Sequence, residues 1–121
     1  MLLIAIGGAG GAICRHGLVN LIHQLSGSKF PYGTLCVNVI GSFLIGVMYV
    51  IITERLSLHP DWRNIVMVGF LGAFTTFSTF SLDAIILFEH GQVATALAYI
   101  ASSVLVCLFF VWAAISLTRL L

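Results

Sequence analysis

The sequence predicts an all-α membrane protein in which four transmembrane helices, the third of them broken, fill residues 1–121 as one integral membrane domain. Three observations predict it. Of the 121 residues, 60% are hydrophobic and 7% charged, and the mean hydropathy of +1.15 is far above that of a water-soluble domain. Four apolar runs, each close to the roughly 20 residues that cross a bilayer, use nearly the whole chain and leave no room for a separate soluble domain. Within the third lies a cluster of hydroxyl side chains that an ordinary apolar helix does not carry.

The same arithmetic excludes several function classes. Five Lys or Arg against four Asp or Glu leave a formal charge of +1, so there is no basic face for nucleic acid and no acidic tail. Met1 to Ile13 carries no charged side chain, which removes the n-region of a secretory signal and makes this stretch the first span. Cys14, Cys36 and Cys107 are an odd number without CxxC spacing, as expected of buried thiols. His16, His23, His59 and His90 form no HExxH, and a metal centre built from them is not expected.

Segment one covers residues 2–22. Gly7, Gly11 and Arg15 follow at intervals of four, so a groove of small residues leads along one helical face to an arginine. At about 1.5 Å per residue, Arg15 lies roughly two-thirds of the way across. Two readings stand: a close-packing Gly-xxx-Gly face with a snorkelling arginine, or an arginine with a function. A dinucleotide fingerprint fails, because Gly8-Ala9-Gly10 lacks the third glycine and no acid precedes Glu54.

Segment two covers 35–52, and Thr34, Asn38, Ser42 and Gly46 recur along it every four residues. Asn38 is its sharpest feature: an amide well inside a span needs a partner helix or a passing ion. Segment four, 93–117, repeats the stripe with Thr95, Tyr99, Ser103 and Cys107.

Segment three, 65–88, contains Gly69-Phe70-Leu71-Gly72-Ala73-Phe74-Thr75-Thr76-Phe77-Ser78-Thr79-Phe80-Ser81. Between Thr75 and Ser81 every residue except Phe77 and Phe80 carries a hydroxyl. Stiff threonines, hydroxyls that compete for backbone groups and the freedom of Gly72 predict a break around Gly72 to Thr76. The competing arrangement is an intact helix whose hydroxyls bond back to their own turn. Freed backbone groups survive at membrane depth only when protein or a water-filled path satisfies them, and freed carbonyls can hold a cation. Phe77 and Phe80, three apart, offer positive ring edges among hydroxyl donors, which suits a small anion.

The joints and termini give little orientation signal. Arg55, Arg63 and Arg119 fall on one side against Lys29, with Arg15 if it leans that way, on the other. So weak a bias permits insertion both ways up and an antiparallel homodimer.

Three motifs in order now resemble a known family, the bacterial fluoride-specific ion channels of the Fluc or CrcB type. They are Gly-Gly-x-x-Gly with a following arginine over Gly7 to Arg15, Gly33-Thr34-Leu35-x-Val37-Asn38-x-x-Gly41, and the Gly69 to Ser81 run. The resemblance spans essentially the whole chain. It implies a multi-pass protein of the cell (inner) membrane, embedded in lipid, that assembles as an antiparallel, dual-topology homodimer with two narrow fluoride pathways between the subunits. By the same resemblance, Asn38 donates to fluoride, Phe77 and Phe80 present ring edges, Thr79, Tyr99 and Ser103 line the path, and Arg15 stands near a vestibule. A structural sodium ion, not transported, would be held by the main-chain carbonyls of Gly72 and Thr75 from both subunits. Ala73 departs from the family pattern, where many relatives have glycine, and a methyl there would tighten the break.

The rivals are a small multidrug-type proton-coupled exporter, a non-transporting subunit of a membrane complex, and an enzyme. The exporter resemblance requires a glutamate on the first span, and segment one has no acid. Asp83 and Glu89 are the only acids in or beside a span by this reading, and both are expected at a solvated interface. An enzyme reading lacks a general base facing the hydroxyl run.

Overall fold

The computed structural model describes residues 1–121, and every regular element in it is helical. In chain order these are α1 (Leu2–Ser26), α2 (Tyr32–Tyr49) running into a π-helical turn (Val50–Arg55), α3 (Pro60–Trp62), a π-helical stretch (Arg63–Leu71), α4 (Gly72–Phe74), α5 (Phe77–Glu89) and α6 (Val93–Leu120). Four stretches are long and apolar enough to cross a membrane: Leu2–Ser26, Tyr32–Arg55, Pro60–Glu89 and Val93–Leu120. Each outruns the sequence-based segment because polar end residues continue the helix where they can reach water. Gly27, at φ 56°, closes α1 with its N–H on the His23 carbonyl. His59 caps α3, its ring nitrogen accepting from the Asp61 N–H ahead of a Pro60 that needs no donor.

Backbone contact organises the packing. A β-carbon on Gly7 would overlap the carbonyl oxygen of Ile65, and one on Gly11 would overlap that of Phe70. From the other side, a β-carbon on Gly69 would lie 2.8 Å from the Ile4 carbonyl oxygen. The glycine face of segment one is therefore a close-packing surface for the third span, and the wall it meets is π-helical. Gly46 plays the same part between α2 and α6, where a β-carbon would stand 2.8 Å from Val111's carbonyl oxygen. At one end of the molecule, Arg119 Nε donates to Glu54 at 2.9 Å and Arg55 Nη2 donates to the Thr118 carbonyl at 2.6 Å. This clasp joins the π turn after α2 to the end of α6 and caps a free helix carbonyl with a cation.

The third span is interrupted by two extended residues, Thr75 at φ −82°, ψ 158° and Thr76 at φ −150°, ψ 119°. Gly72, expected to supply the freedom to turn, is instead helical at φ −62°, ψ −36°. The extended angles suit β-branched threonine, so no glycine is required at that point. Only 21 of 121 residues are buried, and Ile13, Leu105, Trp112 and Phe77 are among the large apolar side chains left bare. Such a surface belongs against lipid or another apolar surface.

Candidate functional site

The site is built on the two extended threonines. An extended pair inside a span leaves backbone groups without helical partners, and α2 supplies them from a side chain. Asn38 Nδ2 donates to the Thr76 carbonyl at 2.9 Å, while the Thr76 N–H donates to Asn38 Oδ1 at 2.7 Å. The amide thus pairs with Thr76 as a neighbouring strand would, at a depth where unpaired groups cost several kcal/mol in hydrocarbon.

The neighbouring hydroxyls do local work. Thr76 Oγ1 caps α5, accepting from the Thr79 N–H at 3.2 Å and donating to Thr79 Oγ1 at 3.1 Å. Thr75 Oγ1 and Ser81 Oγ return to their own turns, onto the carbonyls of Leu71 at 3.1 Å and Phe77 at 2.9 Å. Both sequence-level alternatives therefore hold in part: hydroxyls back-bond as in an intact helix, beside a stretch that is not helical.

Two cavities flank this centre. The first, about 350 Å³, opens between α2, α5 and α6 and is lined in part by Asn38, Ser42, Thr76, Phe77, Phe80 and Ser103. Phe80 is 8% exposed and Phe77 77% exposed, their ring centres 5.4 Å apart and their planes tilted by 54°. Ser103, 6% exposed, carries the one buried side-chain oxygen or nitrogen without a hydrogen-bond partner. Its hydroxyl is therefore free to bond within the cavity it lines.

The second cavity, about 290 Å³, is lined by Thr79, Asp83, Thr34, Lys29 and His23 among others. Tyr99 lines neither cavity but touches a wall residue of each. Fully buried, it stacks obliquely on Phe80 at 5.2 Å and its OH donates to Asp83 Oδ2 at 3.2 Å. Thr34 Oγ1 donates to the same carboxylate oxygen at 2.8 Å.

Of the residues singled out by sequence, Asn38, Phe77, Phe80 and Ser103 meet at the first cavity, Thr79 faces the second, and Tyr99 stands between them. Arg15 lines neither; its Nη1 lies 3.5 Å from the Thr75 carbonyl oxygen, beside the interruption. Asp83, expected at a solvated interface, is half-buried and lines the second cavity with Ser28 and Lys29 of the joint after α1, where it also accepts from the Thr34 and Tyr99 hydroxyls.

Main-chain oxygen is the chemistry on offer to a cation here, because no three His, Cys, Asp or Glu side chains gather. Gly72 and Thr75 fit that chemistry. The Thr76 N–H, which would bond Gly72's carbonyl in a continued α-helix, is taken by Asn38. The Thr75 carbonyl faces only the long contact from Arg15. Hard alkali cations take carbonyl oxygens of this kind.

Comparison with known proteins adds a family likeness. The family model described as "CrcB-like protein, Camphor Resistance (CrcB)" matches residues 2–115. A protein of Hahella chejuensis named "Fluoride-specific ion channel FluC" is 50% identical over 100% of this chain and 95% of its own length. Bearers of the same name in Saccharophagus degradans and Rhizobium meliloti are 47% and 45% identical, each over 98% of this chain and over 88% and 95% of their own lengths.

Proposed function

This chain belongs to the CrcB-like family, and from that premise we propose that it is a fluoride-specific ion channel, a multi-pass protein of the cell membrane whose ion path follows the first cavity. The observation that carries the path is the partnerless Ser103 hydroxyl, buried beside Phe80 and Asn38 in one cavity. Fluoride is small and strongly hydrated, so a path must replace its water with several donors at once. Ser103 has a hydroxyl to give. The Asn38 amide has a second N–H, since only one is spent on Thr76. Phe80 and Phe77 offer the positive edges of their rings. Thr79 and Tyr99 continue the line toward the second cavity, and Arg15 sets a fixed positive charge beside the interruption. A cell interior negative by about 100 mV drives an anion outward by about 2.3 kcal/mol per charge. Passive efflux then lowers cytoplasmic fluoride and its toxicity without a pump.

A lone protomer leaves Phe77 bare, so one wall of the path is missing. We assign that wall to a second copy in an antiparallel homodimer, which the near-even split of Arg55, Arg63 and Arg119 against Lys29 and Arg15 allows. The Gly72 and Thr75 carbonyls of both copies would then hold a structural sodium ion, which supplies positive charge between the paired interruptions. Two predictions follow from the assembly. Purified protein runs as a dimer, and prolonged exchange of sodium for a bulky organic cation shifts it toward monomer in cross-linking; a dimer indifferent to that exchange counts against the carbonyl site.

The exporter reading has no support, because its first-span glutamate is missing and the relatives bear a channel's name. The direct test is efflux from liposomes that contain only this protein. Fluoride is expected to leave and chloride to stay, and Phe80→Ile is expected to cut the fluoride rate at least about tenfold, the equivalent of about 1.4 kcal/mol at the barrier. Chloride leaving as fast as fluoride overturns the assignment.

A further inference from the structure

We propose that Cys107 makes the first cavity a binding site for a thiophilic metal, mercury(II) being the chemical class, and that metal seated there closes the ion path. The inference rests on reading this cavity as the path. Cys107 is half-buried on α6 and belongs to the cavity wall. It follows Ser103 by one helical turn, so both project from the same face. Cys14 is exposed on α1 and Cys36 is half-buried on α2, and neither lines the cavity.

The second observation is Ser103 itself. Its oxygen is buried and uncommitted, and it lines the same space. The wall thus offers sulfur, the donor a soft metal prefers, and, one turn away, a free oxygen lone pair for a weaker secondary contact. Ser42 faces them across the cavity from α2. Neutral mercuric chloride reaches this depth without the cost of carrying a bare charge into a membrane. At Cys107 the S–H bond breaks and its proton passes to water, the sulfur electron pair forms an Hg–S bond, and one Hg–Cl bond breaks to release chloride. Nothing is oxidised or reduced. The remaining Hg–Cl unit fills the space beside Ser103 and removes that hydroxyl from a passing ion.

The test uses the full chain in liposomes, with fluoride efflux read before and after mercuric chloride and the adduct located by mass spectrometry. Each variant is compared with its own untreated rate. Treatment is expected to lower the wild-type rate about tenfold or more, with recovery in excess dithiothreitol and an adduct on the peptide bearing Cys107. The Cys14→Ser/Cys36→Ser variant should be blocked as strongly, whereas Cys107→Ser and Cys107→Ala should lose less than about twofold. Wild-type flux that mercury leaves unchanged, or a block that persists in both Cys107 variants, overturns this inference alone. Untreated liposomes that pass no fluoride would instead remove the channel reading, and the presence or absence of the Cys107 adduct still decides the metal site.

Discussion

Asn38→Asp is expected to abolish fluoride flux, a fall of about a hundredfold or more. The native amide satisfies Thr76 twice, accepting from its N–H and donating to its carbonyl. A carboxylate keeps the first bond and loses the second, and it sets two acceptors against each other. Leaving the Thr76 carbonyl unmet costs about 1–3 kcal/mol. The new negative charge also lies in the wall of the first cavity, the ion path proposed above. The unmet carbonyl lowers stability, whereas the charge raises the barrier to an anion, and a barrier higher by about 2.7 kcal/mol is the hundredfold fall in rate. Efflux from liposomes measures the rate, and thermal unfolding in detergent should fall with it, because the interruption loses its clamp. Undiminished fluoride flux in Asn38→Asp would show that neither the amide donor nor the clamp matters to conduction.

Gly11→Ala carries the largest expected effect on folding. A methyl there overlaps the Phe70 carbonyl oxygen, which is main chain and cannot swing aside, so α1 must move off the third span. Overpacking of a tight interface costs about 1–3 kcal/mol, and occasionally more. The separation would also disturb the Arg15 contact at Thr75, one turn along the same face. Gly8→Ala is the internal control. Its β-carbon would find nothing nearer than 3.9 Å, an ordinary contact, and the better helix propensity of alanine is worth up to about 1 kcal/mol. Size-exclusion profiles and melting temperatures of the two variants should therefore move in opposite directions. Equal behaviour would mean that the glycine groove is not a close-packed interface.

Much of the architecture could be read from the chain, because hydrocarbon imposes a simple rule: a long apolar run must be a span. The Gly7, Gly11, Arg15 register was legible for the same reason that it packs, a shared helical face. The π-helical stretches were not. The π stretches carry their polar residues only at their outer ends, Thr53 to Arg55 in one and Arg63 and Asn64 in the other, too few to set a period, so an extra residue per turn leaves no trace in the pattern. The interruption was legible as a region, from its crowded hydroxyls, but not as a residue. Gly72 looked like the place to turn, whereas the turn falls on Thr75 and Thr76, and the backbone of Thr76 is held by an amide 38 positions away in sequence. Asp83 was hidden likewise: its two partners, Thr34 and Tyr99, come from α2 and α6, and nothing local announces them.

The pairing of Asn38 with Thr76 also bears on motion. For the third span to anneal into one uninterrupted rod, that side chain would have to let go, and its polar atoms and those of the threonine would be stranded in oil. The interruption is consequently a standing one, held from a neighbouring helix and not by its own span. Whatever moves in this protein, the Thr75–Thr76 kink is a fixed point about which the neighbouring segments must turn.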